Sequence, residues 1–373
     1  MKLYIIAGEA SGDLHGSNLI KQLRKNEESL SVRCWGGDMM AEAGGDVVKH
    51  YRDLAFMGFV EVLMNLRTIL KNIDVCKEDI LRYKPDAIIL IDYPGFNLRI
   101  AKWAKQQGIK VFYYISPQIW AWKQNRVHQI KANVDRMFVV LPFEQDFYKK
   151  FDCDVTFVGH PLLDVISENK GHIDDFRAAH NLDNKPLIAL LPGSRKQEIS
   201  VMLPIMLSVV SKFPDYQFVI AGAPGQTPEF YKTWHDQFPG LKIIFGETYK
   251  LLRFAEAGLI TSGTATLEAG LFKLPQVVCY KGNSISYEIA KRIIKVKYIS
   301  LVNLILDREA VKELIQHELN TSNLEKHLNA ILTHKNPESQ IMKDYDELRV
   351  RLGGQGASKR TAIAMLKILR NEP

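Results

Sequence analysis

Long apolar runs are absent from this sequence of 373 residues, in which no uninterrupted apolar stretch exceeds five residues. A helix that spans a bilayer needs roughly 18 or more apolar residues, so the sequence predicts no transmembrane helix. The N-terminal segment, Met1-Lys2 followed by Leu3–Ala7, has too short an apolar run for a signal peptide and lacks an export cleavage pattern. We therefore expect a cytoplasmic protein.

Cysteine and metal-binding patterns are scarce as well. The four cysteines lie far apart in the chain, at Cys34, Cys76, Cys153 and Cys279, and form neither a C-x-x-C pair nor a zinc spacing. The ten histidines are scattered without an H-E-x-x-H motif, and no Walker A sequence is present. The sequence predicts buried, reduced thiols, no metal site and no cofactor.

The excess of basic over acidic residues is modest. Forty-nine Lys and Arg against forty-two Asp and Glu give a net charge of +7, which favours an anionic partner such as a phosphate, a nucleotide, an anionic lipid or nucleic acid. A protein that binds nucleic acid would cluster basic with aromatic residues, whereas here the basic residues are spread along the chain. We therefore expect no nucleic-acid partner.

Short apolar runs without polar alternation predict buried parallel strands. They are Leu3–Ala7, Ala87–Ile91, Val111–Ile115, Met137–Leu141 and Leu187–Leu191. Stretches of helical period separate them, an order that predicts doubly wound α/β sheets. The alternation restarts at Leu187, with strands near 217–221, 242–245, 258–261 and 276–280, so we expect two such domains joined within the polar segment 159–185. Beyond Asp307 the pattern predicts almost wholly helical structure.

The loops after these strands are the first places to look for chemistry, because ligands of doubly wound sheets bind beyond the carboxyl ends of the strands. Gly8–Asp13 can hold an anion at a helix N-terminus, but it lacks the third glycine of a dinucleotide site, which disfavours a nicotinamide dehydrogenase. Asp92 follows a buried strand, where a general base and a helix cap are both open interpretations. We expect Trp120 and Trp122 to be exposed in the loop after the third run, where they suit a sugar or phosphate-bearing ligand; the alternative is that they wedge a core.

Two loops of the second half suit a phosphate. Arg195 ends the turn Pro192–Arg195, and its forked guanidinium either clamps a phosphate bidentately or is an ordinary surface residue. The segment Ser262–Glu268 combines a strand end, a loop of small residues and a helix start, whose N–H groups and hydroxyls can stabilise a pyrophosphate without a metal. Glu268 then lies near the first helical turn, well placed for a ribose diol.

One stretch departs from the pattern of a soluble domain. Residues Phe56–Leu70 are mostly apolar, with only two charges. Such a stretch is either a buried helix or an interfacial surface that contacts acyl chains.

Six motifs, in order along nearly the whole chain, resemble the bacterial lipid-A-disaccharide synthase family. They are Gly8–Asp13, Met57–Leu63, Ser116–Trp122, Leu191–Arg195, Ser262–Glu268 and Tyr298–Asn303. The resemblance implies a GT-B fold, in which two Rossmann-like doubly wound domains face each other across a cleft, with a helical C-terminal tail. It places an acceptor- and membrane-facing domain in 1–165, a UDP-sugar-binding domain in 166–340 and the tail in 341–373, packed on the first domain or on a partner chain.

The family reaction is an inverting glycosyl transfer. The resemblance implies that UDP-2,3-diacylglucosamine and 2,3-diacylglucosamine 1-phosphate condense to a β-1,6-linked disaccharide 1-phosphate and UDP. It identifies Asp92 as the general base, Arg195 as the group that stabilises charge on the UDP phosphates, and Glu9 and Asn303 as further catalytic positions of unassigned role. The implied UDP site consists of Ser194, Arg195, Ser262, Gly263, Thr264, Ala265, Thr266 and Glu268.

Because both family substrates carry acyl chains, the resemblance favours a membrane or acyl contact for the apolar stretch. The implied contact residues are Met57, Phe59, Val60, Leu63, Leu66 and Leu70. We accordingly expect peripheral association with the cytoplasmic face of the inner membrane, and leave open whether the protein is a homodimer. The alternative is another UDP-sugar enzyme on the same scaffold, such as a UDP-N-acetylglucosamine 2-epimerase, which would not need this apolar surface.

Overall fold

The computed structural model describes residues 1–53, 66–168, 172–238, 240–283, 287, 296–333 and 338–372. The chain divides into two compact units, of which the first comprises Met1–Asp164 and Leu352–Pro373 and the second Val165–Arg351. The first unit therefore contains both ends of the chain.

A parallel sheet forms the centre of the first unit, and its seven described strands lie in the order β3-β2-β1-β4-β5-β6-β7. They are β1 (Lys2–Ala7), β2 (Ser31–Gly36), β3 (Asp46–His50), β4 (Ala87–Ile91), β5 (Lys110–Tyr114), β6 (Arg136–Val139) and β7 (Val155–Phe157). The chain runs outward from β1 to β3, then returns to β4 on the other side of β1. The strand order thus reverses between β1 and β4, where Ala7 pairs with Ile91.

Helices cover both faces of this sheet, as its apolar strands require. The described helices of the unit are α1 (Ala10–Asn26), α2 (Asp38–Glu42), α3 (Leu66–Tyr83), α4 (Pro94–Gln106), α5 (Val127–Asn133), α6 (Phe143–Lys149) and, at its boundary, α7 (Leu162–Glu168). Every side chain of the run Leu3–Ala7 is fully buried. A Cβ at Gly12 would lie only 3.1 Å from that of Ala7, so a glycine allows α1 to pack tightly on the strand before it.

The second unit repeats the architecture. Its six described strands lie in the order β10-β9-β8-β11-β12-β13, and they are β8 (Leu187–Leu191), β9 (Gln217–Gly222), β10 (Lys242–Phe245), β11 (Ala255–Thr261), β12 (Gln276–Tyr280) and β13 (Lys312–Ile315). The order reverses between β8 and β11, where Leu191 pairs with Ile260.

The helices of the second unit again flank the sheet. They are α8 (Ile173–His180), α9 (Lys196–Leu207), α10 (Pro228–Gln237), α11 (Thr248–Phe254), α12 (Thr264–Leu271), α13 (Leu301–Leu306), α14 (Thr321–Thr333) and α15 (Gln340–Arg351). Tyr345 on α15 is buried and donates a hydrogen bond to the carbonyl of Leu274 at 2.9 Å, so the last helix of the unit is tied to the loop before β12.

The chain then returns to the first unit with its final helix, α16 (Ala357–Arg370). The carboxylate of Asp164 accepts hydrogen bonds from the backbone N–H groups of Gly356 and Ser358. It thereby satisfies donors at the N-terminus of α16 that the helix itself cannot satisfy. Helix α16 packs against α1.

The structure confirms the predicted fold, two doubly wound parallel-sheet domains with a helical C-terminal end. The prediction of almost wholly helical structure beyond Asp307 is wrong at β13. The charged residues Lys312 and Glu313 hide this strand, because Glu313 is buried where an apolar residue would be expected.

Most of the apolar stretch that we assigned to membrane contact lies outside the described residues, including Met57, Phe59, Val60 and Leu63. The backbone of Leu66 begins α3, and Leu70 on the same helix is 47% exposed. No helix in the described part of the chain is both long enough and apolar enough to cross a membrane.

Candidate active site

Asp92 lies at the carboxyl end of β4, directly beside the point at which the strand order of the first sheet reverses. Loops on either side of such a switch point diverge and leave a crevice, which is the usual ligand site of a doubly wound sheet. The loop after β1, on the other side of the crevice, carries Glu9. Both residues are partly exposed.

The backbone of Asp92 is held by buried polar groups. Its carbonyl accepts hydrogen bonds from the Tyr113 hydroxyl at 2.5 Å and from Asn97 Nδ2 at 2.7 Å. Asp92 and Tyr93 have φ values of 43° and 50°, in the left-handed region that most residues other than glycine avoid. Backbone strain of this kind persists only where the surroundings hold it in place, and it is frequent at functional sites.

The electrostatics of this crevice keep Asp92 partly protonated at neutral pH. Burial, and secondarily the negative charge of Glu9, raise the pKa of Asp92 to about 7, against a smaller opposing effect of a hydrogen bond from the Tyr93 backbone. Burial disfavours the charged form of a carboxyl group, and a nearby like charge does the same. A carboxylate with its pKa near the working pH is well suited to general-base catalysis.

Two other residues of the Gly8–Asp13 motif have structural roles. Asp13 is buried, and its carboxylate accepts hydrogen bonds from the backbone N–H groups of Gly37, Met39 and Met40 at 2.7–3.1 Å. It caps the short helix α2 rather than its own helix. Gly8 is required sterically, since a Cβ there would lie 2.4 Å from the ring of Tyr93.

The two tryptophans of the loop after β5, Trp120 and Trp122, differ in burial. Trp120 is buried and packs edge-on against Phe143, with ring centroids 4.9 Å apart, so our expectation that both tryptophans are exposed is wrong. Trp122 is 53% exposed, and the Nζ of Lys123 lies 4.0 Å from the centroid of its ring. Trp122 alone is available to a ligand in this structure.

A buried carboxyl group holds the backbone that follows β6. Glu144 accepts hydrogen bonds from the backbone N–H groups of Val140 and Leu141 at 3.2 and 2.9 Å, and burial raises its pKa to about 8. Beside it, the hydroxyls of Ser116 and Tyr148 lie 2.7 Å apart. Sequence reasoning did not identify Glu144, because an acidic residue in the first turn of a helix ordinarily indicates only a solvated face.

In the second unit the switch point lies between β8 and β11, and Arg195 is in the loop after β8. Arg195 and Ser194 are exposed, and the backbone N–H of Ser194 donates to Glu198 Oε2 at 3.0 Å. Gly193 has φ +121°, and a Cβ there would lie 2.3 Å from the Glu198 carboxylate. The turn therefore requires glycine, and it presents the arginine at the N-terminus of α9.

The loop after β11 leads into the N-terminus of α12 on the other side of this switch point. Gly263, with φ +150°, has open space around it, since a Cβ there would meet nothing within 4 Å among the described atoms. The hydroxyls of Ser262 and Thr266 donate to the carbonyls of Ile299 and Gly263 at 2.9 and 2.8 Å. These two side chains brace the loop, while Gly263 and Thr264 are exposed and Ala265 is partly exposed.

Glu268 follows on the first turns of α12. The Tyr249 hydroxyl donates to its carboxylate at 3.2 Å. Burial raises the pKa of Glu268, and the hydrogen bond from Tyr249 opposes that shift. The residue as a whole is partly exposed.

Asn303 holds a loop together in this structure. It is fully buried, its Nδ2 donates to the carbonyl of Val311 and to Glu313, and its Oδ1 accepts from the N–H groups of Ala310 and Val311, all at 2.8–2.9 Å. All four of its ordinary hydrogen-bonding positions are occupied by protein groups. These contacts give Asn303 a structural role, with no exposed atom for a ligand.

Glu313 is the centre of that network and was not recognised in the sequence. Its carboxylate accepts hydrogen bonds from the backbone of Ile299 and Ser300 and from the Ser300 hydroxyl at 2.7–3.2 Å. Because the Ile299 carbonyl accepts a hydrogen bond from the Ser262 hydroxyl, the network supports the loop after β11. Its only sequence signal is an acidic residue inside a short strand.

Among the described residues, no three His, Cys, Asp or Glu side chains are placed so that they could hold a metal ion. As far as the structure describes them, the candidate residues are carboxylates at the switch point of the first unit and, at the switch point of the second unit, an arginine, helix N-termini and one carboxylate.

Comparisons of the whole chain identify relatives. A family model described as lipid-A-disaccharide synthetase matches residues 3–368. The lipid-A-disaccharide synthase of Syntrophus aciditrophicus is 39% identical over 372 residues, which cover 98% of this chain and 97% of that protein. The enzyme of the same name from Trichlorobacter lovleyi is 36% identical over 375 residues, covering 99% and 97%.

Solved structures share the fold at low sequence identity. UDP-GlcNAc 2-epimerase from Neisseria meningitidis, bound to UDP-GlcNAc, has a TM-score of 0.68 at 16% identity and covers 98% of this chain and 100% of that one. The glycotransferase of kitacinnamycin has a TM-score of 0.63 at 14% identity and covers 99% of each chain. Identity this low supports only a GT-B-like fold. The family model and the full-length relatives go further, because they span nearly every residue, and this chain therefore belongs to the lipid-A-disaccharide synthase family of glycosyltransferases, which act in lipid A synthesis.

Proposed function

We propose that the protein transfers 2,3-diacylglucosamine from UDP to the 6-hydroxyl of 2,3-diacylglucosamine 1-phosphate, with inversion at the anomeric carbon. The observation that carries this proposal is Asp92, a carboxyl group at the switch point of the first sheet whose pKa is raised to about 7. The family to which the chain belongs supports the choice of sugar-lipid substrates.

Asp92 accepts the proton of the acceptor 6-hydroxyl as that oxygen attacks. The oxygen forms a bond to the anomeric carbon of the donor from the face opposite UDP, and the bond between that carbon and the β-phosphate oxygen breaks with its electron pair on the phosphate. A single displacement converts an α-linked donor into a β-linked product. Glu9 raises the pKa of Asp92 by its charge and so makes it a stronger base once it is ionised.

Groups of the second unit stabilise the negative charge that develops on the departing UDP. The exposed Arg195 guanidinium can donate two parallel hydrogen bonds to phosphate oxygens. The N–H groups at the start of α12, next to the open Gly263, add fixed partial positive charge. Such donors stabilise a departing UDP because they are in place before the charge develops.

Glu268 completes the proposed nucleotide site. Its carboxylate, already oriented by the Tyr249 hydroxyl, accepts hydrogen bonds from the hydroxyls of the ribose. Ser262 and Thr266 act indirectly, through the carbonyls that their hydroxyls hold. Thr264 and Ala265 supply backbone N–H groups, and the exposed Ser194 supplies its hydroxyl. Asn303 serves the site only by maintaining the loop network around Glu313.

We further propose that the apolar stretch 57–70 contacts acyl chains and the cytoplasmic face of the inner membrane. The exposed Leu70 supports this proposal. Binding to vesicles should weaken when Leu70 is replaced by Gln and should remain unchanged for Lys84→Gln, at an exposed basic position beyond the end of α3. Equal binding of both variants and the parent would contradict the contact at Leu70.

The reaction is tested by incubating the protein with both acylated substrates in detergent and measuring UDP and disaccharide by mass spectrometry. We expect β-1,6 disaccharide from the parent protein, and a rate about 10²–10⁴-fold lower from Asp92→Ala, the range that a general base contributes. UDP affinity should be unchanged. Asp154→Asn, an exposed carboxylate of the same unit, is the matched control. UDP binding without disaccharide would refute the substrates and leave the fold and the nucleotide site standing.

A further inference from the structure

A groove of about 630 Å³ runs along the first unit between α4 and α5. Its lining includes Arg99, Lys102 and Arg126, and no carboxylate of the described residues lines it. Arg99 and Lys102 are exposed and Arg126 is partly exposed, so all three cations are accessible from solvent.

These three charges are not compensated within the described part of the chain. None of the three side chains has an ion pair or hydrogen bond to a described residue, whereas Lys105, on the same helix, pairs with Asp135. Lys123 lies close enough that burial together with the Arg126 charge lowers its pKa. A groove with uncompensated positive charge attracts an anion.

The groove starts at the edge of the sheet that carries Asp92. Helix α4 begins two residues after Asp92, at Pro94, and Pro94 and Gly95 line the groove. Helix α5 leads into β6, a parallel strand, so its first residues and the adjacent Arg126 are at the same edge. Gly95 is exposed, with open space around it, so the groove is accessible at this end.

The spacing along α4 suits a sugar phosphate. Arg99 is five positions after Pro94, which corresponds to about 7–8 Å along a helix. That length is comparable to one pyranose ring with its substituents. A sugar whose hydroxyl reaches Asp92 can therefore extend an anionic substituent on the opposite side of the ring toward Arg99.

We propose that this groove binds the phosphate monoester of the acceptor, with Arg99 and Arg126 as bidentate donors and Lys102 as an additional point charge. The inference rests on the proposed function, and it assigns acceptor specificity to the first unit. The groove anchors the phosphorylated end of the sugar, and the sugar ring places the 6-hydroxyl at Asp92.

The test compares two acceptors, 2,3-diacylglucosamine 1-phosphate and the same lipid without its phosphate, at saturating UDP-donor. Replacement of Arg99, Lys102 or Arg126 by Gln should raise the KM for the phosphorylated acceptor about tenfold, the effect of losing roughly 1.4 kcal/mol of binding. The KM for the donor and the kcat should not change. The triple variant should no longer distinguish the two acceptors.

Lys150→Gln provides the matched control, because Lys150 is an exposed lysine of the same unit outside the groove. It should retain the full preference for the phosphorylated acceptor. A triple variant that also retains this preference would overturn the proposal while leaving the glycosyl transfer intact.

Two further measurements separate the alternatives. Sedimentation with vesicles of phosphatidylcholine and phosphatidylglycerol should be equal for the parent and the triple variant. If the triple variant loses vesicle binding but keeps its acceptor preference, the groove recognises membrane headgroups and the proposal is wrong. If the parent forms no disaccharide, the proposed function fails, and the role of the groove is then tested by equilibrium binding of the two acceptors. Tighter binding of the phosphorylated acceptor that is lost in the triple variant supports the groove as the phosphate site. Equal binding of the two acceptors to the parent refutes it.

Discussion

The switch points of the two sheets share one topology and differ in chemistry. In the first unit, two residues other than glycine, Asp92 and Tyr93, adopt the left-handed backbone conformation. The carboxyl group of Asp92 is buried there, near the negative charge of Glu9. In the second unit, glycines adopt positive φ at Gly193 and Gly263, and an exposed arginine follows the first of them.

The difference shows that one fold can create surroundings suited to an anion at one switch point and surroundings suited to a base at the other. The second switch point leaves backbone N–H groups and a guanidinium accessible, which favours binding of an anion. The first buries its carboxyl group near the negative charge of Glu9, which raises the affinity of that group for a proton. The same strand order therefore supports complementary roles, and the residues at the loop tips decide which role each loop has.

Beyond the loss of Asp92, the largest expected effect comes from altering the guanidinium of the second switch point. Arg195→Lys keeps the charge but loses the fork, and we expect kcat to fall about 10²–10³-fold, as for loss of one preorganised donor. Lys232→Gln, an exposed cation of the same unit, should leave kcat unchanged. Steady-state kinetics with both substrates measure the effect, and full activity of Arg195→Lys would reduce the role of Arg195 to its charge.

Replacing the glycine of the same turn should destabilise the second unit. Gly193→Ala places a methyl group against Glu198 at a positive φ, so we expect a loss of about 1–3 kcal/mol in the free energy of unfolding. Gly95→Ala, where a Cβ has open space, is the control. Urea denaturation distinguishes them, and equal stability of both variants would show that the turn relaxes.

Removing the buried carboxyl group of Asp92, at the first switch point, should instead stabilise the protein at higher pH. The folded-state pKa of Asp92, about 7, exceeds that of an unfolded aspartate. The folded state thus holds a proton that the unfolded state has released, and stability falls as pH rises through this window. Asp92→Asn should raise the Tm more at pH 8 than at pH 5. A difference that does not vary with pH would argue against the raised pKa.

The smallest effect is a displacement of the pH profile. Glu9→Gln removes a negative charge that raises the pKa of Asp92, so the pKa should fall and the acidic limb of kcat/KM should move to lower pH. Burial remains the larger cause, so the shift is partial. If the acidic limb of the Glu9→Gln profile stays at the same pH while the maximal rate falls, Glu9 contacts substrate instead.

Much of this architecture could be predicted from the sequence, because buried parallel strands are continuous apolar runs. The runs that end at Ala7, Ile91 and Leu191 identify the strands that carry the candidate loops. Strand β13 was missed because Glu313 replaces an apolar residue there. Periodicity reports the average polarity of an element, so a charged residue makes a strand look exposed even where its carboxylate is buried and hydrogen-bonded to the protein.

Side-chain roles within the motifs could not be predicted in the same way. Trp120 and Trp122 are two residues apart, yet one is buried against Phe143 and the other exposed. Asn303 belongs to a motif shared with the family, and in the structure its hydrogen bonds all go to the protein. Exposure and partners depend on residues distant in the chain, which motif spacing does not report.

The sequence by itself determined the two doubly wound sheets, the loops at their switch points and the family, because these follow from local apolar patterns and from the order of motifs. The tertiary structure decided which side chains of those loops face solvent, why Asp92 holds its proton near neutral pH, and where uncompensated positive charge collects between α4 and α5. Burial and electrostatic interaction join residues that are far apart in sequence, and only the folded chain brings those residues together.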